Sequence, residues 1–137
     1  MYPQKSIRSL KITSAFSEVE AIRDALRGAI LALEVEKSSM ADTQQDAEAD
    51  LQAILGLGVL LNDLQTRRLR VQELSRALPS PNQVTAKMRA RVVTLGKLLF
   101  ETAEHIRNIQ SETYRLARLN MRAAAHKMKA QRMACVA

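Results

Sequence analysis

Between Met88 and Ala123 one spacing never slips. Met88, Val92, Leu95, Leu99, Thr102, Ile106, Ile109, Thr113, Leu116, Asn120 and Ala123 follow one another at alternating steps of four and three. Only a helix returns such positions to one face. A strict seven-residue repeat also makes that helix supercoil, left-handed, against a partner helix. The spacing predicts a helix over about 84–132, roughly 70 Å long at 1.5 Å per residue. A chain of 137 residues has no globule wide enough to enclose it. It must therefore lie lengthwise along the helix before Pro79, with its end reaching past that partner.

The preceding segments carry the same signal. Val19, Ile22, Leu26, Ala29, Leu33 and Met40 fall at helical steps, and Ser17 followed by Glu20 fits a capping box, which predicts a helix over about 15–39. Ile54, Leu57, Leu61, Leu64, Val71 and Leu78, widened by Leu60 and Leu74, predict another over about 42–78. Asp42 followed by Gln45 offers a cap for that second helix, so a kink or short turn is expected near Ser39, although no Gly or Pro forces one. Pro79 and Pro81 end it by removing donors and blocking continuation. Residues 1–14, with Pro3 and scattered Lys5, Arg8 and Lys11, read as a flexible arm. Residues 15–133 read as a single helical domain, and 134–137 as a frayed tail. The expected fold is all-α, an elongated antiparallel hairpin or a three-helix bundle with coiled-coil packing.

The most apolar stretch, "AILGLGVLL" at 53–61, holds two of the four glycines. It is too short for a membrane span, being closed off by Asp50, Asn62 and Asp63. Its period is not two, so paired strands are disfavoured. A helix that contains Gly56 and Gly58 gives up stability at both positions. The reading drawn from this is close backbone approach by a neighbouring helix, which predicts that Gly56→Leu overpacks the fold.

Composition agrees with helices. Apolar residues make up 47% of the chain but aromatics only 3%, and three prolines are too few to punctuate an all-β fold. Residues 1–16 lack the apolar run of a signal peptide. The lone Cys135 cannot form an intrachain disulfide and reads as an inert, exposed thiol. No enzyme is expected, since nucleophile elbow, phosphate loop and metal spacing are all missing. His105 and His126 stand apart on the last helix, His105 reading as partly buried beside the seam. Neither cofactor nor metal is expected.

Charge points to a partner. The net charge is +7 and the pI about 10.1. After Glu112 there is no acid, while Arg115, Arg118, Arg122 and Lys129 share one side of the last helix. Two surfaces compete there. One is an anion-binding face for nucleic acid or acidic lipid, weakened by the lack of interleaved aromatics beyond Tyr114. The other is a small, flexible apolar side of Leu, Ala and Met suited to another protein helix. A structural coiled-coil subunit, or a homodimer, fits the same seam.

The segments "LALEVEKSSMADTQQDAEADLQAILGLGVLLNDLQTRR" and "TAEHIRNIQSETYRLARLNM" resemble the FlgN-type flagellar type III export chaperones. The likeness spans most of residues 19–128. It departs from the family in its strongly basic last helix and in Gly56 and Gly58. The resemblance implies a cytoplasmic chaperone whose last helix captures the amphipathic C-terminal helix of a filament-junction subunit before export. Ile109, Leu116, Leu119, Ala123 and Met128 would be its contacting side chains.

Overall fold

The computed structural model describes the backbone of residues 4–40 and 46–136, and the side chains of 11–40 and 46–135. Three helices follow one another: α1 (Gln4–Met40), α2 (Ala47–Ala77) and α3 (Ala86–Val136). The described residues contain no strand, so the chain is all-α. Each helix buries a three-four seam. On α1 it runs through Ile12, Val19, Ile22, Leu26, Ala29 and Leu33. On α3 every position from Met88 to Ala123 in the predicted seam is buried or half-buried. Beyond Asn120 the buried residue is Ala124 rather than Ala123, the direction in which a 3.6-residue helix drifts from a 3.5-residue repeat, while half-buried Lys127 still keeps the repeat.

Three boundaries differ from the sequence reading. The expected arm is helical from Gln4 onward, because Ile12, 3% exposed, already lies in phase with the α1 seam. Residues 1–3 lie outside the described residues, as does the proposed Asp42–Gln45 cap. Asp46 caps α2 instead: its Oδ1 accepts the Ala49 backbone N–H at 2.8 Å, with Glu48 and Asp50 adding negative charge to the first turn. The link from α2 to α3 contains a single 3-10 turn, Pro81–Gln83, between extended Ser80 and extended Val84. Val84 is buried, and Arg89 Nε donates to the Pro81 carbonyl at 3.3 Å.

The chain forms two compact units rather than one, and each helix contributes a stretch to both. Unit 1 draws on Met1–Arg27 and Thr66–Arg107. Its interior is almost wholly apolar, from Ile12, Val19, Ile22 and Leu26 to Val71, Leu95, Leu99 and Ile106. The one buried hydroxyl in its α3 seam, Thr102, donates to the Leu98 carbonyl at 2.6 Å. At its surface Arg70 Nη2 donates to Glu18 Oε2 at 2.9 Å, Arg91 Nη2 to the Thr13 hydroxyl at 3.1 Å, and the Arg91 guanidinium lies 5.9 Å from the Phe16 ring centroid.

Unit 2 draws on Gly28–Gln65 and Asn108–Ala137. Here α2 runs antiparallel to α3, because Gln65 meets Gln110 while Asp50 meets Lys127. Gly56 and Gly58 belong to this unit, and the sequence reading of them is overturned. Both are exposed, and a Cβ added at either would meet nothing within 4 Å. They flank the buried Leu57 by one residue on each side. A step of about 100° carries them off the seam, so no neighbouring helix needs the space they leave.

Candidate protein-binding surface

Unit 2 mixes polar residues into an apolar core of Leu33, Leu57, Leu64, Ile109 and Leu116. Four polar residues, Asp50, Gln110, Thr113 and Asn120, are buried there at successive levels. Thr113 satisfies itself by donating to the Ile109 carbonyl at 2.7 Å, and Gln110 Nε2 donates to Gln65 Oε1 at 3.1 Å. Asp50 Oδ2 forms an ion pair with Lys127 Nζ at 2.7 Å, without an aligned hydrogen bond. Glu36 Oε2 and both amide atoms of Asn120 are buried with no hydrogen-bond partner. Each such group carries a desolvation cost.

The exterior of the same unit carries most of the exposed large apolar side chains. Twelve large hydrophobic side chains among the described residues stand exposed, and nine belong to unit 2: Leu31, Val35, Leu51, Leu55, Val59, Tyr114, Met121, Met128 and Met133. Scattered apolar exposure is ordinary; here it is concentrated on one unit.

The residues of α2 and α3 fall into a pattern. One position beyond the α2 seam lie Leu51, Leu55, Gly58, Asn62 and Gln65; one beyond the α3 seam lie Gln110, Tyr114, Ala117, Met121, Ala125 and Met128. The Gln65–Gln110 hydrogen bond joins these two lines, so both border the same α2–α3 groove. The antiparallel register set by that bond and by Asp50–Lys127 places Leu55 level with Met121, and Leu51 level with Ala125. The two helices differ in charge. Between Ala47 and Gln65, α2 carries three acids, of which Asp50 is buried, and no base; beyond Glu112, α3 carries bases and no acid.

The residues expected to bind a client part ways. Ile109 and Leu116, 5% and 2% exposed, are committed to the core of unit 2, which corrects their assignment to a partner. Leu119 and Ala123 are half-buried and Met128 is exposed. Met121, Leu51, Leu55 and Val59 are exposed, which the sequence did not reveal, because a single exposed line cannot be told from the core line beside it before one helix is placed on another. On the basic side, Arg115, Arg118 and Arg122 line an open depression with Ser111, Tyr114 and Leu119, whereas Lys129 is exposed outside it. Arg115 is not a free cation. Its Nε donates to Glu112 at 3.1 Å, and Lys37 approaches the same carboxylate at 3.1 Å. Hydrogen bonds from Arg115 and then Lys37 hold the Glu112 carboxyl down at about 2.

His105 is exposed rather than half-buried, in a shallow surface depression with Arg23 and Glu101. Cys135 is exposed. Among the described residues no cluster of His, Cys, Asp or Glu could hold a metal ion, and no helix is long and apolar enough to cross a membrane. Comparison with protein-family models, with curated proteins and with solved structures finds no match to this chain.

Proposed function

We propose that the chain is a non-enzymatic protein-binding module that captures an amphipathic helix along the α2–α3 groove of unit 2. The observation that carries this reading is the gathering of nine of the twelve exposed large apolar side chains on one unit, Leu51, Leu55, Met121 and Met128 among them. Burial of such side chains by a partner returns about 25 cal/mol per Å² of apolar area. Met121, Met128 and Met133 suit a partner of variable sequence, since the unbranched thioether adapts to irregular shapes. The resemblance to FlgN-type proteins gives the reading its most concrete form: a cytoplasmic type III export chaperone whose client is a subunit of the flagellar filament junction. The contacts then come from Leu51, Leu55, Met121 and Met128, flanked by Leu119 and Ala123.

Titration with a synthetic amphipathic helical peptide, followed by calorimetry, tests the reading. Binding is expected with a negative heat-capacity change, little dependence on salt, and a loss of at least tenfold in the Met121→Glu variant. A peptide that binds neither protein defeats it. The exposed Arg118 and Arg122 favour a second reading, nucleic-acid association. Under that reading an oligonucleotide binds, affinity falls steeply with salt, and Arg118→Glu with Arg122→Glu abolishes it while Met121→Glu does not.

A further inference from the structure

We propose that the exposed face of the α2–α3 hairpin in unit 1 binds single-stranded nucleic acid, its cations taking phosphates and Phe100 stacking on a base. This reading does not rest on the groove of unit 2. The two surfaces share no residue, so each stands or falls alone.

The charge of the chain is unevenly divided. Unit 1 holds fourteen Lys and Arg against six Asp and Glu, and unit 2 holds seven against eight. The net charge of +7 therefore originates in unit 1, while the basic end of α3 is offset by the acids of its own unit. Within unit 1 the excess gathers on the hairpin. Residues 66–97 carry eight bases and one acid, Glu73, and Arg70 already holds that acid at 3.0 Å. Arg76, Lys87 and Lys97 are exposed, and among the described residues no acid pairs with them. Arg89 gives its Nε–H to the Pro81 carbonyl, which leaves both Nη groups to a ligand.

Apolar side chains stand between these cations. Arg89, Val93, Lys97 and Phe100 follow one another at steps of four, four and three, which places them on one stripe of α3. All four are exposed, Phe100 by 65%. Leu78 lies 3.9 Å from where a Cβ on Gly96 would stand, so the returning α2 brings exposed Arg76 to the level of Lys97. The nearest acids are engaged elsewhere: Glu104, one turn beyond Phe100, pairs with Arg107, and Glu101 turns into a depression shared with Arg23 and Arg27. Cation and apolar side chain thus alternate along one stripe. An interfacial helix instead segregates them on opposite faces, and a duplex keeps its base faces stacked inside. A single strand alternates phosphate and base, and it offers the face of each base to an aromatic ring.

The probe is a fluorescein-labelled oligothymidylate of about 12 nucleotides, titrated with the full chain and read by fluorescence anisotropy. Binding is expected, with an affinity that falls as salt rises. Arg76→Gln and Lys97→Gln should each lower the slope of log affinity against log salt by about 0.7, the contribution of one phosphate contact on a single strand. Phe100→Ala should weaken binding about tenfold and leave that slope unchanged, because stacking releases no counterion. The chain has no tryptophan, so Phe100→Trp should restore the affinity and place the only indole at the site, its fluorescence quenched as the strand binds. Circular dichroism on each variant checks that the helices persist. Peptide binding by these variants should match the parent, which keeps this test separate from that of the unit 2 groove. A chain that does not bind the oligonucleotide overturns the proposal. So does one in which Arg118→Glu with Arg122→Glu abolishes binding while Arg76→Gln and Lys97→Gln change nothing, which moves the contact to unit 2. Phe100→Ala without effect removes the stacked base and overturns it too, as does tighter binding to phosphatidylserine vesicles than to the oligonucleotide.

Discussion

Gly56 shows how far a single residue is decided by its position on the helix. An apolar neighbourhood in sequence suggested a packed site, yet Gly56 is exposed and meets nothing. Its effect is therefore confined to the backbone. Gly56→Ala should stabilise the protein by about 0.5–1 kcal/mol through helix propensity, read as a shift in the denaturant midpoint with unchanged slope. Destabilisation would return Gly56 to a packed interface. Glu112 is the opposite case, a residue whose surroundings decide everything. Its carboxyl is held at about 2 against an ordinary 4.5 by Arg115 and Lys37. A depressed carboxylate contributes stability above its unfolded value, and that contribution is lost as pH falls through the folded value. Acid titration from pH 5 to pH 2 should therefore weaken the fold, and Glu112→Gln should flatten the curve over that window. Identical curves for the two proteins would show that the ion cluster does not bear on folding. The sequence could not reveal this cluster, because Lys37 and Glu112 stand on different helices and only their packing brings them together.

At the level of the helices, the strongest periodicity was also the most faithful guide. The α3 seam was legible residue by residue from Val92 to Asn120, since a heptad repeat returns those positions to one face, although Gln110 and Ala124 are buried beside it. The start of α1 was not legible, because Lys5, Arg8 and Lys11 look like a solvated arm until Ile12 is seen to share the phase of Val19. Nor was the end of α3. Its end was expected to reach past the partner helix, but Asn120 and Ala124 are buried and Lys127 pairs with buried Asp50. From Met128 to Cys135 every side chain is exposed. Two truncations should consequently behave differently. Removing 129–137 should leave the melting temperature nearly unchanged. Removing 117–137 should unfold unit 2, since it uncovers the α2 seam and strands the Asp50 carboxylate. Stranding a buried charge of this kind typically costs about 3–5 kcal/mol, and Lys127→Ala alone should show much of that loss. Equal melting temperatures for the two truncations would mean that α3 packing ends before Leu116.

Across the whole molecule the two units divide apolar and polar material unequally, and stability should follow that division. Unit 1 fills its seams with Leu, Ile and Val. Unit 2 places Asp50, Thr113 and Asn120 in equivalent seam positions and leaves both Asn120 amide atoms without partners. A polar residue in a seam fixes register but lowers stability. It also lowers the free energy needed to open the segment locally. Along α2, which serves both units, amide hydrogens of residues 51–65 should exchange faster than those of 66–77, although they belong to one uninterrupted helix. Replacing the unsatisfied amide by an apolar side chain of similar size, Asn120→Leu, should slow exchange in 51–65 and raise the unfolding free energy by about 1–3 kcal/mol. Amides of unit 1 that already exchange by local opening should scarcely change. Uniform protection along α2, or an Asn120→Leu protein no more stable than the parent, would mean that the polar seam is fully compensated. In the expected case, the unit that presents its apolar side chains outward is also the one that opens most readily. A partner that covers those side chains then stabilises the unit it binds, by the free energy of its own binding.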